Sequence, residues 1–145
     1  MTIVSEHDIE ELRFSLKNRL GEALLLTSQE DMLRYCRDWH GDVTSSAVAV
    51  IRPRSTKEVS DTVSACAELG LSIIPQGGNT GLVLGGIPDA PKRQVVLSLE
   101  RMNAIRTIDS DDFSASCSNI GLQLANAGNN KRSATDNEIE FHGVL

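Results

Sequence analysis

The feature that most constrains this chain is a continuous apolar run at residues 47–51, followed by a helical pattern and a second apolar run at 71–74. The first run is closed by Pro53, and its unbroken apolar character is typical of a strand buried on both faces. Two buried strands joined by a helix in so short a span form a βαβ unit, whose strands must be parallel and whose crossover is right-handed. The sequence therefore predicts that a βαβ unit forms the centre of the fold.

The helix of this unit has a defined beginning and end. Ser55 and Glu58 have the spacing of a capping box, in which each side chain satisfies the other residue's backbone N–H. Gly70 is predicted to end the helix, because glycine adopts the left-handed conformation at little cost. The predicted apolar face consists of Val59, Val63, Cys66 and Ala67.

Two helical segments precede the unit. Asp8 is predicted to cap the first, which ends at Gly21, and Ser28 with Asp31 is predicted to open a second, shorter one. The apolar residues of the first helix recur at intervals of three and four: Ile9, Leu12, Leu16 and Leu20. Residues 40–46 are interpreted as a connector.

Strands with antiparallel pairing are predicted after the unit. Residues 94–99 and 104–109 form two strands around a turn at 100–103, and Asp111-Asp112 is the predicted turn into a last strand at 113–117. From residue 118 onward few apolar residues occur and no period is evident, so we expect this tail to be poorly packed.

A glycine-rich segment at residues 76–86 leaves the second predicted strand and contains five of the eleven glycines. Open α/β sheets bind ligands at the carboxyl ends of their parallel strands, and glycines let backbone N–H groups approach a pyrophosphate closely. Asn79 and Thr80 are predicted to add side-chain donors. The segment lacks the Gly-Lys pair of a Walker A loop, and Gln76 replaces the first glycine of a dinucleotide fingerprint. A ligand loop is favoured over a plain turn.

Charge and composition exclude several classes of function. Twenty acidic and fourteen basic residues give a net charge of −6, and only five aromatic residues are present, so nucleic acid is an unexpected partner. No apolar run reaches the length of a membrane segment, and the acidic start is unlike a signal peptide. Three widely spaced cysteines and isolated histidines predict reduced thiols, a cytoplasmic location and no metal site.

Three stretches together are specific enough to suggest a family: residues 50–59, Pro75–Leu82 and residues 96–103. With Trp39-His40-Gly41 as a lead-in, the chain over residues 33–116 resembles the FAD-binding (PCMH-type) domain of the flavin-linked oxidoreductases related to vanillyl-alcohol oxidase. The branch of D-lactate, glycolate and D-2-hydroxyglutarate dehydrogenases is the most similar. The resemblance implies an α+β PCMH-type fold with a βαβ first subdomain and an abbreviated antiparallel second one.

The resemblance also implies FAD as the cofactor and an ancestral oxidation of D-2-hydroxy acids. Its pyrophosphate would be wrapped by backbone N–H groups of Gln76, Gly77, Gly78, Asn79, Thr80, Gly81 and Leu82. Leu84 is an extra residue relative to the family pattern and leaves the roles of Gly85 and Gly86 open.

The division that follows from the resemblance is a helical lead-in at 1–44, a first FAD-binding subdomain at 45–117 and a remnant of the second at 118–145. The substrate domain is expected to be missing, and no catalytic residue is assigned. Three hypotheses stay open: a partial flavoenzyme completed by a separate chain that supplies the substrate domain, a stand-alone flavin-binding module, and a truncated remnant without a ligand.

Overall fold

A computed structural model of the protein describes residues 5–89, 93–109 and 114–117. The three helices are α1 (Glu6–Leu20), α2 (Gln29–Met32) and α3 (Thr56–Glu68), with 3₁₀ turns at Glu22–Leu24 and Leu33–Tyr35. The six strands are β1 (Leu25–Leu26), β2 (Val50–Ile51), β3 (Ser72–Gln76), β4 (Gln94–Ser98), β5 (Ile105–Asp109) and β6 (Ser114–Cys117).

The main sheet has the strand order β1-β2-β4-β3. Strands β2, β4 and β3 are parallel, and β1 joins β2 in antiparallel orientation. Val96 of β4 lies opposite Val50 on one side and Ile74 on the other. The predicted parallel relation of the two strands that flank α3 is therefore confirmed, but they are not neighbours, because β4 lies between them.

The prediction that residues 94–99 begin an antiparallel region is wrong. Three consecutive residues of β4, Val95, Val96 and Leu97, are buried, as expected for a strand covered on both faces. The antiparallel pair consists of β5 and β6, which form a separate two-stranded sheet. The predicted turn at Asp111-Asp112 and the tail from residue 118 lie outside the described residues.

Strand β3 is an edge strand in the described sheet, and the prediction that residues 71–74 are a fully buried strand is wrong. Leu71 is buried, but Ser72 and Pro75 are exposed and the two isoleucines between them are half-buried. A proline is tolerated at this position because an edge strand needs only half of its N–H groups for pairing.

The starts of α1 and α3 are set by hydrogen bonds from side chains, whereas Ser28 precedes α2 as predicted but makes no side-chain cap hydrogen bond. Helix α1 is capped by Ser5 rather than by Asp8: Ser5 Oγ accepts from the Asp8 N–H at 3.1 Å, and Asp8 Oδ2 accepts from the Ser5 N–H at 2.9 Å. In α3, Ser55 Oγ accepts from the Glu58 N–H as predicted. The Glu58 carboxylate instead accepts from the N–H of Arg54, at 2.6 Å.

The buried face of α3 is rotated from the one predicted. Val59 and Cys66 do face the core, whereas Val63 and Ala67 are exposed. Thr62 is fully buried instead, because its hydroxyl donates to the carbonyl oxygen of Glu58 and is thereby satisfied inside the helix. The hydroxyl made this residue look polar in the sequence.

Both faces of the central strands are covered. On one face, α1 and α3 pack over the sheet in a cluster that includes Leu16, Cys66 and Val95. On the other face, Met32, Tyr35 and Cys36 of the lead-in pack on Val50 and Val96. The predicted strand at 47–51 is shortened to β2, although the Val48 N–H already donates to the Gln94 carbonyl oxygen. Within the described residues, no helix combines the length and the apolar character needed to cross a bilayer.

Candidate cofactor site

The candidate site lies at the carboxyl ends of the three parallel strands. Arg52 follows β2, the glycine-rich loop at residues 77–86 follows β3, and Glu100 follows β4. The carboxyl ends of parallel strands meet at one edge of a sheet, which is where open α/β sheets bind ligands. The βαβ interpretation placed the loop at this edge correctly.

Gln76, the last residue of β3, closes the base of the loop. Its side chain is buried, and its Nε2 atom donates to the carbonyl oxygens of Tyr35 and Gly86, each at 2.9 Å. One amide group thus joins the end of β3 to the far end of the loop and to the lead-in. Leu84, which the resemblance predicts to be an extra residue, precedes this closure in a left-handed conformation with φ of 62°.

Asn79 holds the middle of the loop. Its φ is 53°, a left-handed conformation that asparagine tolerates better than most residues. Its Nδ2 atom donates to the Arg37 carbonyl oxygen at 3.0 Å. The sequence predicts that this amide donates to the ligand, whereas in the structure it donates to a carbonyl oxygen within the protein.

The loop forms one wall of a cavity of about 250 Å³. Gln76, Gly77, Gly78 and Asn79 line it from the loop, while Thr80, Gly81 and Leu82 do not. The structure thus divides the seven predicted residues into four that line the cavity and three exposed residues that continue the loop. The other lining residues are Arg34, Tyr35, Trp39, Ser98 and Glu100.

Glu100 is the centre of a charged cluster that sequence reasoning missed. Its carboxylate pairs with Arg34 at 2.8 Å and with Arg52 at 3.4 Å, and it accepts a hydrogen bond from the Tyr35 hydroxyl at 2.6 Å. Burial, together with the hydrogen bond to Glu100, raises the pKa of Tyr35. The Arg34 guanidinium lies 4.4 Å from the centroid of the Tyr35 ring. The position of Glu100 directly after an apolar strand was the available signal.

Arg52 has one polar atom without a partner. Its Nε is buried and makes no hydrogen bond, although Nη1 of the same guanidinium reaches Glu100. A buried donor left unpaired is costly, so the hydrogen-bonding capacity of this guanidinium is only partly satisfied.

One exposed group in the described part of the chain brings three potential metal ligands close together: His7, Asp8 and Glu11, at the start of α1. The spacing of His7 and Glu11 on a helix was not recognised in the sequence. Asp8 is already engaged as the partner of Ser5, which explains the cluster without an ion.

Comparison with known families identifies the class of domain that this fold and edge site define. The family model of the FAD binding domain matches residues 47–129, more than half of the chain, and the chain belongs to this family. The fold class and the cofactor predicted from the sequence, an α+β FAD-binding domain and FAD, are thereby confirmed. The match also includes residues 118–129, beyond the described strands.

The more specific relatives are dehydrogenases whose names specify D-2-hydroxy acids, the branch that the sequence predicts. The chain is 35% identical over 101 residues to a probable mitochondrial D-2-hydroxyglutarate dehydrogenase of Oryza sativa subsp. indica, covering 70% of this chain and 18% of the relative. It is 34% identical to the mitochondrial D-2-hydroxyglutarate dehydrogenase of Bos taurus, covering 72% and 18%. A putative mitochondrial D-lactate dehydrogenase of Schizosaccharomyces pombe is 35% identical, covering 57% and 15%. The chain thus spans less than a fifth of the length of these relatives.

Solved structures agree on the fold. An alkyldihydroxyacetonephosphate synthase superposes with a TM-score of 0.60 at 21% identity, over 73% of this chain and 21% of its own. A p-cresol methylhydroxylase superposes with a TM-score of 0.57, also at 21% identity and over the same shares. A 4-ethylphenol oxidase from Gulosibacter chungangensis gives 0.59 at 22% identity, over 74% and 21%.

Proposed function

We propose that this chain is the FAD-binding portion of an FAD-linked oxidoreductase of D-2-hydroxy acids, and that the backbone of Gln76–Leu82 holds the pyrophosphate of FAD. The observation that carries the proposal is the loop of small residues that lines a cavity at the carboxyl edge of the parallel strands. The substrate class comes from the relatives, whose names specify D-2-hydroxyglutarate and D-lactate.

The size and the chemistry of the cavity suit a pyrophosphate. Sites that enclose a whole small molecule measure about 300–1,000 Å³. A volume of about 250 Å³ is therefore suited to one part of a dinucleotide. Gly77 and Gly78 let N–H groups approach phosphate oxygens without an intervening side chain. Arg34 adds a cationic group to the wall, although part of its charge is balanced by Glu100.

The bound flavin would accept the hydride of the substrate, and the residues of this chain would position it. The described residues at the sheet edge offer binding groups, and we assign no catalytic role to any of them. The relatives' names specify mitochondria, and a cytoplasmic location for this chain stays a prediction.

FAD titration of loop variants tests the proposal. Gly78→Val places a branched side chain in the cavity and is expected to weaken FAD binding at least tenfold, about 1.4 kcal/mol. Gly85→Val is the matched control, because Gly85 lies in the same loop, does not line this cavity, and a Cβ there meets no atom within 4 Å.

Binding is measured by quenching of flavin fluorescence on the full chain. The expected result is wild-type affinity for Gly85→Val together with weakened binding for Gly78→Val. Equal FAD affinity in wild type and Gly78→Val would show that the loop does not hold the pyrophosphate and would favour the remnant hypothesis. Equal loss in both variants would indicate a general disturbance of the loop and would also contradict the assignment.

A further inference from the structure

We infer that the side-chain amides of Gln76 and Asn79 are positioning groups, which fasten the cofactor loop to residues 35–37 of the lead-in. The inference rests on the proposed function, because it explains how that loop keeps its shape before FAD arrives. It also assigns Tyr35 and Glu100 a positioning role at the same site.

The donors of the Gln76 amide are fully used. A primary amide has two N–H groups, and here they serve the carbonyl oxygens of Tyr35 and Gly86. The side chain is only 4% exposed. No donor is left for a phosphate oxygen, so the contribution of Gln76 to binding must be exerted through its backbone or through the geometry of the loop.

Asn79 makes the second attachment to the same segment. Its Nδ2 atom donates to Arg37, two residues beyond the carbonyl oxygen that Gln76 uses. Asn79 Oδ1 lies 3.3 Å from the position that a Cβ on Gly86 would occupy, so a larger residue at the far end of the loop would require Asn79 to shift by a few tenths of an ångström. The two amides therefore fix both the base and the middle of the loop.

The lead-in segment is itself tied to the sheet. Tyr35 is 3% exposed, and its hydroxyl donates to the Glu100 carboxylate, directly after β4. Arg34 reaches the same carboxylate. A continuous path thus runs from the end of β4 through Glu100 and Tyr35 to Gln76 and the loop. A loop held in its binding conformation loses less entropy when it binds, which raises affinity without a new contact.

Hydrogen exchange without the cofactor distinguishes positioning from direct contact. Gln76→Glu replaces the donating NH₂ group with an acceptor and removes both bonds. We expect the N–H groups of Ile87 and Leu99, which donate to the carbonyl oxygens of Leu84 and Gln76 at the two ends of the loop, to exchange at least several-fold faster in the FAD-free chain, and FAD binding to weaken about tenfold. Gln94→Glu is the matched control, because Gln94 makes comparable amide contacts, to Asp89, but at the amino end of β4.

A second variant pair separates the side chain of Asn79 from its backbone conformation. Asn79→Gly keeps access to the positive φ and loses the bond to Arg37, so it should also increase loop exchange. Tyr35→Phe keeps the ring and removes the link to Glu100, and a smaller increase in the same amides is expected. This conservative change keeps the test usable if Gln76→Glu fails to fold.

Several results would overturn the inference. If Gln76→Glu or Asn79→Gly weakens FAD binding while loop exchange in the FAD-free chain stays at the wild-type rate, the amides contact the cofactor directly. Unchanged exchange in all three variants would likewise refute it. The proposed function fails separately, through wild-type binding by Gly78→Val, so the two failures are distinguishable.

Discussion

Leu84 occupies a backbone conformation that leucine rarely adopts. Its φ of 62° lies in the left-handed region, where a Cβ approaches the following carbonyl oxygen at a cost of roughly 1–2 kcal/mol. The carbonyl oxygen of Leu84 accepts from the Ile87 N–H at 3.1 Å, which closes a short turn. Leu84, which the resemblance predicts to be an extra residue, thus lies in a local turn, and Gln76 and Gly86 still close the loop.

Leu84→Gly should therefore stabilise the chain. Glycine removes the strain at positive φ, while the leucine side chain is 45% exposed and belongs to neither core cluster. The entropy of glycine in the unfolded chain offsets part of the gain, so we expect an increase of about 0.5–1 kcal/mol in the free energy of unfolding.

Urea denaturation measures this effect, with Val83→Gly as the control. Val83 is 89% exposed and is not among the residues with positive φ, so the control should be neutral or slightly destabilising. If Leu84→Gly loses as much stability as Val83→Gly, the backbone conformation of Leu84 is not strained.

The sequence identified the residues of the loop but could not identify their partners. The glycines and Asn79 are recognisable because their chemistry is local. The carbonyl oxygens to which Gln76 and Asn79 donate belong to Tyr35 and Arg37, about forty positions away, and backbone oxygens carry no sequence signal. Glu100 was missed for a similar reason, since its three partners are brought together only by the sheet.

At the scale of elements, α3 depends on its first turn. Ser55 and Glu58 satisfy the N–H groups of Glu58 and Arg54, two donors that would otherwise be unpaired at the start of the helix. The double variant Ser55→Ala with Glu58→Ala should lower the free energy of unfolding by about 1–2 kcal/mol.

Thermal or urea unfolding tests the cap, and Ser64→Ala provides the comparison. Ser64 is an exposed serine inside the same helix, where alanine has the higher helix propensity, so that change should be neutral or stabilising. An unfolding transition of the double variant that coincides with that of Ser64→Ala would exclude a stabilising cap.

Local patterns predicted where elements occur better than how they pair. The capping signal at Ser55 and the glycine ends at Gly21 and Gly70 are confirmed, because a cap involves residues within one turn. The pairing of β4 was predicted wrongly. Strand order depends on contacts between segments far apart in sequence, and the three buried residues at its centre were the signal for a parallel position.

For the whole molecule, two thiols report on the integrity of the core. Cys66 is fully buried in the cluster under α3, and burial raises its pKa to about 11. Cys36 lies in the cluster on the other face, and burial raises its pKa as well. The reactivity of the two thiols therefore reports on the packing of both faces of the main sheet.

Stability should fall in alkaline solution. A thiol whose pKa is raised in the folded state favours folding fully at pH values below its unfolded pKa of 9.0, and this contribution is lost as the pH rises toward the folded value of about 11. We expect Cys66→Ser to weaken this pH dependence, at a cost in stability at neutral pH because a hydroxyl is then buried.

Alkylation at pH 8 provides the direct measurement. Cys36 and Cys66 should react with iodoacetamide far more slowly in the native chain than in urea, because both thiols are buried and largely protonated. Rapid native labelling of either residue, detected by mass spectrometry of its peptide, would show that the corresponding face of the sheet is open.

The proline in β3 has a consequence for association between molecules. The Ser72 N–H donates to the Arg93 carbonyl oxygen, so the backbone nitrogens of Ile73 and Pro75 point to the outer side of the strand. Proline has no N–H group to donate there. A strand from another molecule would find one outward donor, at Ile73, in the whole of β3. The end of the strand that carries the glycine-rich loop is thereby a poor template for edge-to-edge aggregation.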